Sequence, residues 1–103
     1  MPILSESELV AAVTRDRAAG KTIGFLPLAF DLLNVTHVRA VQAMAEECDR
    51  VVVAVVDDAA RHVIKIQDRA EIAGCVRGVD YVIVCSADRL EPLAALLIPD
   101  VRA

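Results

Sequence analysis

The sequence predicts a three-layer α/β fold, a short parallel sheet with helices on both sides. Three observations carry this. Apolar runs of strand length alternate with helical segments along the whole chain. The run VVVAVV at 51–56 has no polar residue, as expected of a strand buried on both faces. Hydrophobic residues make up 56% of the chain and aromatics only 3%, so the core must come from Val, Leu, Ile and Ala. That is the usual material of a parallel sheet covered by helices. The 103 residues suffice for one domain, 1–103, and not for two.

Each element has its own signal. Ser5-x-x-Glu8 is a capping-box pattern, Leu9, Val10 and Val13 follow as a partial apolar face, and Gly20 suits a helix C-terminus; a first helix is expected over about residues 5–19. Lys21 to Leu28 reads as the first strand, with Pro27 marking where regular pairing stops. A turn carrying Asp31 and Asn34 leads to a helix from about Thr36 to Glu47, in which Val38, Val41, Ala45 and Cys48 share one side. Asp57-Asp58 ends the strand at 51–56, and a polar connection follows with Arg61, His62 and Lys65. Asp68-x-x-Glu71 resembles a second capping box, opening a helix striped by Ile72, Val76 and Val79. Gly74 would lie inside that helix at a cost of about 1 kcal/mol. YVIVC at 81–85 is the third strand. A short helix then has Pro92 near its first turn, Leu93, Leu96 and Leu97 facing inward, and Pro99 as its stop. Parallel strands joined in this order are expected to have right-handed crossovers.

Composition also excludes. The formal net charge of −4 argues against nucleic acid or an anionic membrane surface as the main partner. No apolar run approaches the length that crosses a bilayer, and MPILSESELV lacks the basic flank and apolar stretch of a signal peptide. The expectation is a soluble, cytoplasmic protein. Cys48, Cys75 and Cys85 are odd in number and widely spaced, which predicts small buried hydrophobes rather than a disulfide framework or zinc site.

The segment FDLLNVTH at 30–37 resembles the F-D-x-x-H-x-G-H signature of the cytidylyltransferase-like nucleotidyltransferases. LSESELVAAVTRDRAAGKTIGF before it, then CDRVVVAVVDD, DRAEIAGCVRGVDYVIV and LEPLAALLIPDV after it, are similar in order to the adenylyltransferase domain of bacterial ADP-heptose synthesis. The resemblance implies a Rossmann-like fold and a reaction. A substrate phosphate attacks the α-phosphate of ATP or CTP in the presence of Mg²⁺, AMP or CMP is transferred to a sugar or alcohol phosphate, and pyrophosphate leaves. The protein's part is to position phosphates and stabilise charge at a helix N-terminus. Carried over residue by residue, the resemblance implies catalytic positions at His37 and Asn34. It implies nucleotide contacts at Phe25, Asp31, Thr36, Lys65 and Arg69.

The pattern is broken at several of these positions. Phe30, Asp31 and His37 match the signature, but Asn34 replaces its first histidine and Thr36 its glycine. Asn donates hydrogen bonds without carrying charge, and a β-branched residue crowds the space a glycine leaves. Leu26-Pro27-Leu28-Ala29 stands where the resembling enzymes have Thr-Asn-Gly-Cys, which removes a backbone donor and adds bulk. The loop after the second strand is shorter than theirs, and their fourth strand and later phosphate-binding motif are expected to be missing. Each residue also has a plainer role. His37 is then a capped helix-start histidine, Asp31, Asn34 and Thr36 are turn and cap residues, and Arg61, His62 and Lys65 belong to a solvated loop. Arg69 is then a surface arginine paired with Asp68 or Glu71. Asp57-Asp58 is a strand-ending turn, with Mg²⁺ binding as its sharper alternative. The expected function is a degenerate nucleotidyltransferase-like binding, regulatory or assembly module, with an active enzyme as the alternative. With no fourth strand beside it, Lys21–Leu28 would be an exposed apolar edge. A homodimer mate, a partner protein or the N-terminal segment is expected to cover it.

Overall fold

The computed structural model describes residues 3–28, 35–57 and 65–102. They form ten elements: β1 (Ile3–Leu4), α1 (Glu6–Ala18), β2 (Ile23–Leu28), α2 (Val35–Glu47), β3 (Arg50–Asp57), α3 (Ile66–Gly74), β4 (Tyr81–Ser86), a 3₁₀ turn (Ala87–Arg89), α4 (Leu90–Leu97) and β5 (Val101–Arg102). The strands make one parallel sheet in the order β1-β4-β3-β2-β5. This is the α/β Rossmann-like layering that the sequence predicts.

The run at 51–56 shows how the layers arise. A strand alternates its side chains with a period of two. Val51, Val53 and Val55 therefore enter a core with Leu26, Val41, Met44, Ala70 and Ala73 beneath α2 and α3. Val52 and Ala54 enter the opposite core with Leu9, Ile23, Phe25, Ile83 and Leu93 beneath α1 and α4. All five are buried, so an unbroken apolar run is what this central position needs.

α1 begins as its capping box dictates. The Ser5 hydroxyl accepts from Glu8 N, and the Glu8 carboxylate accepts from Ser5 N. The second box does not form. α3 starts earlier, at Ile66, with Lys65 in the cap position and no side chain capping it, so Asp68 is already in the first turn. The helix also ends earlier, which makes Gly74 its last residue rather than an interior one. Val76 and Val79 are buried all the same, from the turn that follows. In α4, Leu93 and Leu97 face inward but Leu96 is 55% exposed, a correction to the expected stripe. Ile98 takes a left-handed conformation (φ 48°) ahead of Pro99 and closes the helix. Cys48 and Cys85 are buried as expected, whereas Cys75 is exposed.

Pro27 does not end the pairing of its strand, because β2 continues alongside β3 through Leu28. Parity explains why. Thr22 O accepts from Arg50 N on the β3 side, while Ile23 O accepts from Asp100 N on the β5 side. Residues alternate between neighbours, so Pro27, in phase with Ile23, turns its donorless nitrogen away from β3. The β2 edge is closed in part by the chain's own residues. Val101 and Arg102 pair with Gly24 and Phe25, and the Asp100 carboxylate accepts from Ile23 N at 2.8 Å. The N-terminal segment does not serve this edge, since β1 pairs with β4 on the far side of the sheet.

Polar contacts fix the N-terminal ends of the strands. Asp49 accepts from Thr22 N at 2.9 Å and Asp80 from Val51 N at 2.8 Å. Tyr81 donates to the buried Asp16, beside which Arg50 Nε lies at 3.6 Å. Burial, then the hydrogen bond to Asp16, pushes the Tyr81 hydroxyl above its ordinary range. These bonds leave the opposite, C-terminal end of the sheet as the place where loops and helix N-termini meet.

Candidate functional site

In a parallel sheet the helix after each strand begins where that strand ends. α2 follows β2 and α3 follows β3, and those strands are neighbours, so two helix N-termini open at the same end of the sheet. The backbone N–H groups and dipole of a helix N-terminus generally favour an anion. Local sequence adds to this. The first turn of α2 contains no acidic residue, and the cap position of α3 holds Lys65 in place of a capping carboxylate or hydroxyl.

The candidate residues divide by placement. Thr36 and His37 are in the first turn of α2, Thr36 exposed and His37 half-buried with its Nδ1 turned inward. Lys65 is exposed at the start of α3. Arg69 is one turn further on and only 2% exposed, which overturns the reading of a surface arginine. Its Nη1 donates to Val56 O, 3.1 Å away, near the end of β3. A cation is thus held inside the protein close to a strand end. Asp57, the last residue of β3, is exposed. Phe25 is fully buried in the core beneath α1 and α4, so its side chain serves packing. Phe30, Asp31, Asn34, Asp58, Arg61 and His62 lie outside the described residues.

A signal for Arg69 was present in the sequence. Ile66, Arg69, Ala70 and Ala73 follow the i, i+3, i+4, i+7 spacing of a buried helix face. The uncapped start of α3 was masked by the Asp68-x-x-Glu71 pattern. Its backbone donors are the feature that residue types alone did not reveal.

A nucleoside triphosphate with Mg²⁺ can be tested against these residues. Helix donors with Lys65, His37 and the buried Arg69 fit a phosphate chain. Among the described residues there is no cluster of three or more His, Cys, Asp or Glu able to hold a metal ion, and Asp57 is the carboxylate at these strand ends. No helix among the described residues is long and apolar enough to cross a membrane.

The fold is an α/β domain of Rossmann type, and known proteins fit that class. The chain is 35% identical over 96% of its length to the bifunctional protein HldE of Gluconacetobacter diazotrophicus. It is 33% identical, over the same share, to the HldE proteins of Hyphomonas neptunium and Coxiella burnetii. It spans 22% of the length of each of these relatives. Among solved structures, the lipopolysaccharide core biosynthesis protein of Thermoplasma volcanium has the same fold. The TM-score is 0.74 at 18% identity, covering 81% of this chain and 73% of that one. No family model matches the chain. Together these matches fit a cytidylyltransferase-like, nucleotidyltransferase-related domain.

Proposed function

We propose that residues 1–103 are a single nucleotidyltransferase-like domain that binds an adenine or cytosine nucleotide without turning it over, serving as a binding, regulatory or assembly module in the cytoplasm. One observation carries this reading, the altered signature at the start of α2. His37 keeps its place, but Asn34 supplies no positive charge and Thr36 fills the space of a glycine. Binding needs helix donors and cations; the starts of α2 and α3 offer the donors, with His37 in the first turn of α2, and Lys65 and Arg69 carry the charge. Transfer also needs charge stabilisation at the α-phosphate as pyrophosphate leaves, and that is where the sequence has changed.

The second reading is an active enzyme that transfers AMP or CMP to a sugar or alcohol phosphate, its site completed by another chain. The similarity to HldE and to a lipopolysaccharide core biosynthesis protein supports it, and a sugar phosphate would be its acceptor.

Calorimetry with ATP and CTP in the presence of Mg²⁺, beside a pyrophosphate-release assay on sugar phosphates, separates the two. The first reading expects micromolar to millimolar binding, weakened by His37→Ala, with no pyrophosphate released. Turnover that His37→Ala abolishes would overturn it. Absence of binding at millimolar nucleotide would overturn both.

A further inference from the structure

A groove of about 680 Å³ opens to solvent between α2 and α3. Its floor is apolar: Val38 from α2, Ile72 from α3, and Cys75 and Val76 from the turn beyond. Its charges are segregated, with Asp68 and Glu71 on α3 and Arg77 past its end. All three charged residues are exposed, as is Cys75, and Val38 and Ile72 are half-buried. α2 and α3 each return the chain to the next strand of one parallel sheet, so the two helices run in the same sense.

We propose that this groove docks an amphipathic helix of a different protein, antiparallel to α2 and α3, with acidic residues in its first turn and basic residues in its last. Charge complementarity selects that occupant. Basic side chains belong beside Asp68 and Glu71, and acidic ones beside Arg77. An antiparallel helix meets both demands while keeping its acids at its own N-terminus and its bases at its own C-terminus, where its dipole favours them. A parallel helix would meet them only by reversing that order against its dipole. Antiparallel packing also sets the incoming dipole against the two aligned dipoles of α2 and α3. Length agrees. The nine residues of α3 rise about 13 Å, which an apolar stripe at i, i+3, i+4 and i+7 covers. An extended peptide fits less well, since helix flanks offer it no strand edge to pair with. The floor is small, so the complex is of the transient, micromolar kind. Docking here needs no nucleotide, and its test is run without one.

The probe is a stapled helical peptide of about 14 residues, ~20 Å long, with Glu in its first turn, Leu at i, i+3, i+4 and i+7, and Lys in its last turn. Fluorescence anisotropy is expected to find micromolar binding. Arg77→Glu alone, and Asp68→Lys with Glu71→Lys, should each weaken it about fivefold or more by opposing like charges. Cys75→Glu, which sets a charge on the floor at an exposed position, should abolish it. Circular dichroism melts confirm that each variant is folded. A nitroxide on the peptide's N-terminus should broaden the amide resonance of Arg77 more than that of Asp68. The proposal is overturned if the peptide does not bind at millimolar concentration or binds indifferently to both charge reversals. Stronger broadening at Asp68, or sedimentation showing this groove closed by a second copy of the chain, would overturn it as well.

Discussion

At Arg69 the packing of a side chain and the ligand contact proposed for it can be tested apart. Burying a cation is costly unless polar groups meet it, and here Val56 O does so from the end of β3. Its stem lies in the same helical stripe as Ala70 and Ala73, which pack in the core beneath α2 and α3. Arg69→Ala should therefore lower stability by about 2–4 kcal/mol, through lost packing and a lost hydrogen bond to the part-buried Val56 carbonyl. Arg69→Met restores most of the stem and none of the charge. In urea denaturation the Met variant should recover about half of the loss. In calorimetry it should recover none of the nucleotide affinity, if the guanidinium faces phosphate as proposed. A Met variant that binds as well as the wild type would assign Arg69 to the core alone.

The two capping patterns give a matched comparison between elements. Both have the same spacing, yet only Ser5-x-x-Glu8 closes, because α1 starts where its box requires and α3 starts ahead of its own. Ser5→Ala should cost about 1 kcal/mol and lower Tm by several degrees. Asp68→Ala, which removes no cap, should stay within about 0.5 kcal/mol. Differential scanning calorimetry of the two variants checks this, and equal losses would contradict the assigned start of α3. The same elements mark what was legible. β2, β3, β4, α1 and α2 follow from apolar runs and helical spacing, which burial enforces directly. β1 and β5 have two residues each, too short for any period, and are held by pairing with distant strands. The start of α3 was misplaced because a local capping pattern competed with the longer Ile66–Ala73 stripe, and packing decided for the stripe. The candidate site was proposed from residue types at 30–37, of which 30–34 lie outside the described residues. The burial of Arg69 and the uncapped donors of α3 depend on how the helix rolls onto the sheet.

Across the whole molecule, exposed carboxylates tie neighbouring elements together. Glu6 of α1 meets Arg89 at 2.7 Å, Glu91 of α4 meets Arg102 of β5, and Asp49 holds Thr22 ahead of β2. Each carboxyl lies below its ordinary range. Arg89 is the first cause at Glu6, Arg102 at Glu91, the Thr22 backbone N–H at Asp49 and the Ser5 backbone N–H at Glu8. The folded state thus binds protons less readily than the unfolded one at these groups. Their stabilisation is complete above the unfolded carboxylate range, about pH 4, and is lost as pH falls through the lowered folded values. Stability measured by urea denaturation should accordingly be level between about pH 5 and 8 and decline steadily below that range. The causes differ in their response to salt. The Glu6–Arg89 and Glu91–Arg102 pairs are exposed ion pairs and are screened, whereas Asp49 and Glu8 accept from neutral backbone donors at close range. Raising the ionic strength should therefore shrink the acid decline without removing it. Asp49→Asn keeps an acceptor for Thr22 but cannot titrate, so it should flatten the part that salt leaves behind. An acid limb that salt abolishes entirely, or that Asp49→Asn leaves unchanged in high salt, would show that the Thr22–Asp49 bond contributes nothing to the closure of the sheet.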